Sequence, residues 1–149
     1  MDVRFAQLVK GLHQSFEALN AMSPVKIGAL PQNTPQSGVY LLSEGVDHLY
    51  VGRSNRIRQR LGEHSRPSST HNSAPFAFRL AWEATGKPEG PRAKLERDAS
   101  FRRAFSATKE RVRAMDVRFV GETDQTTQAL LEIYVAVVLS TPHNDFDTH

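Results

Sequence analysis

Residues 38–64 read GVYLLSEGVDHLYVGRSNRIRQRLGEH, and the alternation inside this stretch marks a strand pair followed by a helix. Residues 38–42 and 48–52 are short runs rich in β-branched and aromatic side chains, each bounded by turn formers, which predicts two paired strands. The connection, SEGVD, contains Gly45. A five-residue loop sets Tyr40 directly opposite Tyr50 on one face, whereas a four-residue loop puts them on opposite faces, because strand side chains alternate. Asn55 then caps a predicted helix to about Ser65, with Ile57 and Leu61 one turn apart as its buried stripe. Arg56, Arg60 and His64 recur at i, i+4 and form a second row on that helix, suited to tracking a phosphate or converging on one. Gly62 costs a short helix about 1 kcal/mol relative to Ala and leaves room for close approach of a backbone or ligand.

Towards the N-terminus, Val3, Phe5, Leu8, Val9, Leu12, Phe16 and Leu19 have the spacing of an amphipathic helix over residues 3–22. His13 lies among them without a partner pattern and reads as a packed or surface histidine. Residues 23–37, with three prolines, read as an extended linker. Beyond the arginine helix, RPSSTHNSAP (66–75) is a polar loop of a composition that favours mobility. Residues 76–84 suit either helix or strand, GKPEGP (86–91) is a breaker, and 92–113 read as helix interrupted near Ser106. In that helix Leu95, Ala99, Phe101 and Phe105 are expected inward and the basic side chains outward. MDVRFVGE (115–122) alternates as a half-buried third strand. A last helix begins near Thr123 or Asp124, runs to about Leu139 and ends before Thr141 and Pro142. The expected fold is α+β: a small central three-stranded antiparallel sheet flanked by helices, with an extra N-terminal helix (1–24), a core over 38–64 and 115–146, and a basic helical insertion over 67–113, all in one domain over 1–149.

With 149 residues and 39% apolar side chains, the chain has material for one modest core. Its charge is segregated: between Arg53 and Arg113 stand fifteen basic and six acidic residues, a balance of +9, while the remainder has four basic and ten acidic, or −6. Such a distribution is the electrostatic footprint of a polyanion binder, since neutralising phosphates releases counterions. Cysteine is absent, which excludes disulfides, zinc-thiolate sites and thiol catalysis and is compatible with the cytoplasm. The N-terminal MDVRFAQLVK has no signal-peptide pattern, and no run reaches the roughly 18 apolar residues of a membrane span. An unexported chain with no membrane partner is therefore expected.

Glu132 is the one charge in ALLEIYVAVVL (129–139). Its helical neighbours are Gln128, Val135, Ala136 and Leu139, so its stripe turns apolar at once. A carboxylate partly buried there must be paired, hydrogen-bonded or bound to a cation. An arginine ion pair is one solution. Mg²⁺ or Mn²⁺ is the other, because a hard divalent ion takes oxygen ligands and Mg²⁺ commonly uses one or two carboxylates, completing its shell with water and substrate phosphate.

Together these residues resemble the GIY-YIG nuclease superfamily over most of residues 38–146. Gly38-Val39-Tyr40 and Tyr50-Val51-Gly52 match its two signature elements, each with Val for Ile. Arg60 falls eight residues beyond Gly52, at the position of the family's catalytic arginine, and His64 four further on. Glu132 matches the metal-binding glutamate, and Asn144 resembles an asparagine found downstream of it in several members. The N-terminal helix and the basic region from about 67 to 113 lie outside the resemblance.

The resemblance implies metal-assisted hydrolysis of DNA phosphodiesters. Glu132 holds Mg²⁺ or Mn²⁺, Arg60 stabilises the phosphate, Tyr40 or His64 activates water, Tyr50 positions the phosphate or water, and Asn144 supports the site. Arg53, Arg56 and Arg58 are candidate nucleic-acid contacts, and His48, His71, His143 and His149 form no metal-ligand spacing. The expected partner is DNA, duplex or branched, and double-strand cleavage implies a homodimer or two encounters. The alternative is a noncatalytic nucleic-acid-binding module that retains the fold; a third reading is a structural domain whose apolar last helix is only core.

Overall fold

The computed structural model describes residues 1–146, and the chain forms two compact units, Met1–Arg58 with Asp116–His149 and Gln59–Met115. His149 itself lies outside the described residues.

The first unit is α+β, as expected. Its sheet has the order β2-β1-β3, with β1 (Gly38–Glu44) antiparallel to both β2 (Asp47–Ser54) and β3 (Asp116–Gly121). The hairpin is tighter than the sequence suggests: Glu44 pairs with Asp47, leaving only Gly45 and Val46 in the turn. Gly45 has φ 60°, as the first central residue of a type II′ turn requires. The register then shifts, for Ser43 pairs with His48 but Leu42 with Tyr50, so Leu49 is an extra residue on β2. This bulge restores the parity that a two-residue turn alone would lose. Tyr40 faces Gly52, not Tyr50 as a five-residue loop would have it, yet the two tyrosines still share a face.

Both sheet faces matter to the site. Val39, Leu41 and Val51 project to the face covered by α1 (Val3–Ala21) and α6 (Gln125–Leu139), where they form a core with Leu12, Leu19, Leu131, Val135 and Ala136. Burying each valine or leucine among them contributes about 1.5–3 kcal/mol. Asp2 caps α1 through the Phe5 amide at 3.0 Å, and Asp124 caps α6 through the Thr127 amide at 2.9 Å. Helix α6 ends at Ser140, in the left-handed region with φ 51°, two residues before Pro142. The linker is extended but tied down: Val25 exchanges backbone hydrogen bonds of 2.9 and 2.8 Å with Val117, and Lys26 meets Asp116 at 2.8 Å.

The arginine-rich helix α2 (Ile57–Ser65) begins one residue later than its predicted cap implies. Asn55 does not cap it; the Asn55 Oδ1 accepts instead from buried Gln128 Nε2 at 3.0 Å. The Ile57 amide donates to the Gln36 carbonyl at 2.9 Å.

The unit 59–115 is helical, with α3 (Pro75–Ala84), the single turn α4 (Arg92–Leu95) and α5 (Ala99–Arg113) beside most of α2. Residues 76–84 resolve as helix, with Pro75 pre-set at the first turn and Phe76, Ala77, Leu80 and Ala81 buried at helical spacing. Phe78 packs against Phe101 and Phe105 at centroid distances of 4.9 and 5.5 Å. The expected break near Ser106 lies instead at residues 96–98, where the Asp98 carboxylate caps α5 through the Phe101 amide at 2.9 Å. Ala99 is exposed, contrary to expectation.

Candidate active site

In the sheet, Tyr40, Leu42, Tyr50 and Gly52 share a face with Val117 and Phe119. Tyr40 is 1% exposed, whereas Tyr50 is half-buried. The two signature glycines have separate steric reasons. A Cβ on Gly52 would stand 2.3 Å from the Tyr40 hydroxyl oxygen and 2.4 Å from its ring, and a Cβ on Gly38 would stand 2.0 Å from the Val120 carbonyl oxygen. The tyrosine of the first tripeptide therefore lies across the glycine of the second, and β1 begins pressed against the backbone of β3.

Glu132 approaches the same edge strand from the other side. Arg53, opposite Val39, faces α6, and its Nε stands 3.8 Å from Glu132 Oε1. That is an ion pair beyond hydrogen-bond reach. Burial pushes the Glu132 pKa up, opposed by the Arg53 charge. The carboxylate is thus desolvated without a donor close enough to offset it fully, and it and the tyrosines flank β2 from opposite faces.

Asn144 acts on this strand directly. Its Oδ1 accepts from the Val51 amide at 2.9 Å and its Nδ2 donates to the Val51 carbonyl at 2.7 Å, while the Thr141 hydroxyl donates to the same Oδ1 at 2.8 Å. One side-chain amide thereby replaces a neighbouring strand at the middle of Tyr50-Val51-Gly52. Of the candidate nucleic-acid contacts, Arg53 faces Glu132, Arg58 donates to the Pro31 carbonyl at 2.7 Å, and Arg56 is exposed.

In the unit 59–115, Arg60 Nη1 donates to Glu63 Oε2 at 3.1 Å and to the Ser73 carbonyl at 2.8 Å. His64 is fully buried. Burial and the Arg60 charge push its pKa down to about 3, so it is a neutral imidazole at physiological pH, not a group poised near 6.5. The row Arg56, Arg60, His64 consequently runs from solvent into the interior. Gly62 meets only the flexible end of Arg66, at 2.9 Å from a notional Cβ, and no backbone.

Loop 66–75 is held, contrary to its mobile composition. Lys109, 5% exposed, donates to the Pro67 and Ser69 carbonyls at 2.7 and 2.9 Å and lies 4.3 Å over the Phe105 ring. Burial lowers its pKa. Glu96 accepts from the His71 amide and stands 3.1 Å from its Nδ1. Lys109 belongs to the buried stripe of Phe101, Phe105, Thr108 and Val112. That i, i+4 position was the signal that it points inward.

Among the described residues no three His, Asp or Glu side chains come together as a metal cluster. A metal ion at Glu132 would rest on one protein carboxylate with water and phosphate, a shell that Mg²⁺ accepts. No helix among the described residues is long and apolar enough to cross a membrane. Comparisons with protein-family models, with curated proteins and with solved structures found no match to this chain.

Proposed function

We propose that this chain is a divalent-metal-dependent endonuclease of the GIY-YIG type, hydrolysing phosphodiester bonds in DNA with Mg²⁺ or Mn²⁺. The observation that carries the reading is Glu132, a desolvated carboxylate beside the strand of the second signature tripeptide whose ion-pair partner, Arg53, is 3.8 Å away. Bound there, the ion would polarise a nonbridging oxygen and stabilise the departing 3′-oxygen.

In this reading Arg60 binds the phosphate and offsets the charge that grows on it. Water oxygen bonds to phosphorus as the P–O3′ bond breaks, and the water proton passes to a base. A histidine held neutral down to about pH 3 is a weak acceptor, which supports an orienting role for His64. The half-buried position of Tyr50 supports it as the tyrosine that reaches water or phosphate, with the fully packed Tyr40 positioning the strand. An unperturbed tyrosine titrates near 10, so a tyrosine acting as base here needs help from the metal or an arginine. Asn144 fixes the backbone of Val51, next to Tyr50 on β2. Arg53, Arg56 and Arg58 supply backbone contacts, a homodimer would cut both strands, and the cysteine-free composition supports the cytoplasm.

The test is nicking of supercoiled plasmid in Mg²⁺ or Mn²⁺, with Glu132→Ala and Arg60→Ala alongside. Loss of nicking in both supports the reading, and nicking that survives both assigns it to a contaminant. The second reading, a noncatalytic nucleic-acid-binding module, is favoured by the bonds Arg60 already makes to Glu63 and the Ser73 carbonyl. Salt-sensitive binding without cleavage would establish it.

A further inference from the structure

We infer that the loop 66–73 forms a preorganised phosphate-binding cleft for a nucleic-acid backbone, with Arg66 as its principal free cation. This rests on the nucleic-acid part of the functional reading but not on cleavage. The cleft is open, about 390 Å³, and lined only by polar residues: Arg60, Glu63 and Arg66, with Ser68, Ser69, Asn72 and Ser73. Its one carboxylate, Glu63, is already paired with Arg60 at 3.1 Å. The Arg66 guanidinium is exposed and makes no hydrogen bond or ion pair among the described residues. Guanidinium, hydroxyl and amide donors together suit phosphate oxygens, which accept from all three.

Two further observations point to a ligand rather than a solvated surface. The buried Lys109 ammonium holds the Pro67 and Ser69 carbonyls, and Arg60 holds that of Ser73. The loop that carries the donors is therefore ordered in advance, which lowers the entropy lost on binding. The surrounding unit, residues 59–115, also carries twelve basic and six acidic side chains, so the cleft lies in a positive field.

The experiment measures binding of a fluorescein-labelled DNA duplex in EDTA over a range of salt, for wild type, Arg66→Ala and Arg66→Glu. Thermal melts confirm that both variants fold. The expected result is binding about threefold to tenfold weaker in Arg66→Ala, and weaker again in Arg66→Glu, with the slope of log K against log salt reduced by about 1. Unchanged affinity and slope in both variants overturn the cleft. If wild type nicks plasmid while those values are unchanged, the cleft fails and the nuclease reading stands. Cleft-dependent binding without nicking in Mg²⁺ or Mn²⁺ keeps the cleft and removes the nuclease. If inorganic phosphate alone binds as tightly as the duplex, the cleft is a free-phosphate site and the nucleic-acid assignment falls.

Discussion

The Tyr40 ring lies across Gly52, so close that a Cβ at position 52 would stand 2.3 Å from the Tyr40 hydroxyl oxygen and 2.4 Å from the ring carbon that bears it. The pair is directly opposed in the β1–β2 register. A bulky aromatic and a residue without a side chain thus occupy one cross-strand slot, and each explains the other. Gly52→Ala should destabilise the protein by about 1–3 kcal/mol through overpacking. Tyr40→Phe should not rescue it, because the ring carbon still clashes. Tyr40→Ala combined with Gly52→Ala should show a favourable coupling of at least about 0.5 kcal/mol in a urea-denaturation cycle. Strict additivity would show that the two residues do not share the slot.

Asn144 donates to and accepts from the same residue, Val51, so two substitutions separate its functions. Asn144→Ala should cost about 1–3 kcal/mol by leaving a strand amide and carbonyl unpaired. Asn144→Asp should keep acceptance from the Val51 amide but lose donation to its carbonyl, and should regain stability as the carboxyl is protonated at low pH. Hydrogen exchange at the Val51 amide should quicken in the alanine variant, and equal protection in both proteins would contradict the latch.

Burial keeps His64 neutral down to about pH 3, against 6.5 in the unfolded chain. Because the folded-state pKa is the lower one, the histidine's contribution to stability is complete above pH 6.5 and disappears as pH falls towards 3. Its slope is at most about 1.4 kcal/mol per pH unit. Denaturation midpoints measured from pH 7 to 4 should therefore fall more steeply for wild type than for His64→Asn. An imidazole resonance of His64 that titrates near 6.5 would refute its burial as a neutral group.

Substitution at Glu132 separates stability from the proposed function. Its carboxylate is desolvated and its arginine stands 3.8 Å away, so Glu132→Gln should leave the metal-free protein as stable as wild type or slightly more so. On the proposed nuclease reading, the same change should depress Mg²⁺-dependent nicking by about 10²-fold or more and remove any rise in melting temperature caused by Mg²⁺. A variant that loses stability and retains nicking would mark the residue as a structural ion pair.

Lys109 should behave in the opposite way. Lys109→Met keeps an unbranched apolar side chain but removes the ammonium that lies over Phe105 and makes both carbonyl contacts. Proteolysis within loop 66–75 should then accelerate, with a loss of about 1–3 kcal/mol. Unchanged proteolysis would mean that the loop is held by other groups.

Local chemistry is enough to determine much of this protein. Strand alternation marks the hairpin and the third strand. Asp124 at its start and Thr141 and Pro142 beyond its end bound the last helix through capping and backbone preferences that act within a few residues. The isolation of Glu132 among aliphatics announces a desolvated carboxylate, because helical spacing alone fixes its neighbours. Other features depend on partners distant in the chain. The extra residue Leu49 sets the parity of the tyrosines, and a bulge is chosen by the pairing of two strands rather than by either one. Asn55 has the chemistry of a cap, but Gln128, 73 residues away, claims its side chain. Loop 66–75 has a mobile composition, yet a lysine some 40 residues on fixes it. The local chemistry of each segment limits what that segment can form alone; which polar groups meet depends on the folded chain, because a buried donor or acceptor must find its partner wherever the fold brings one.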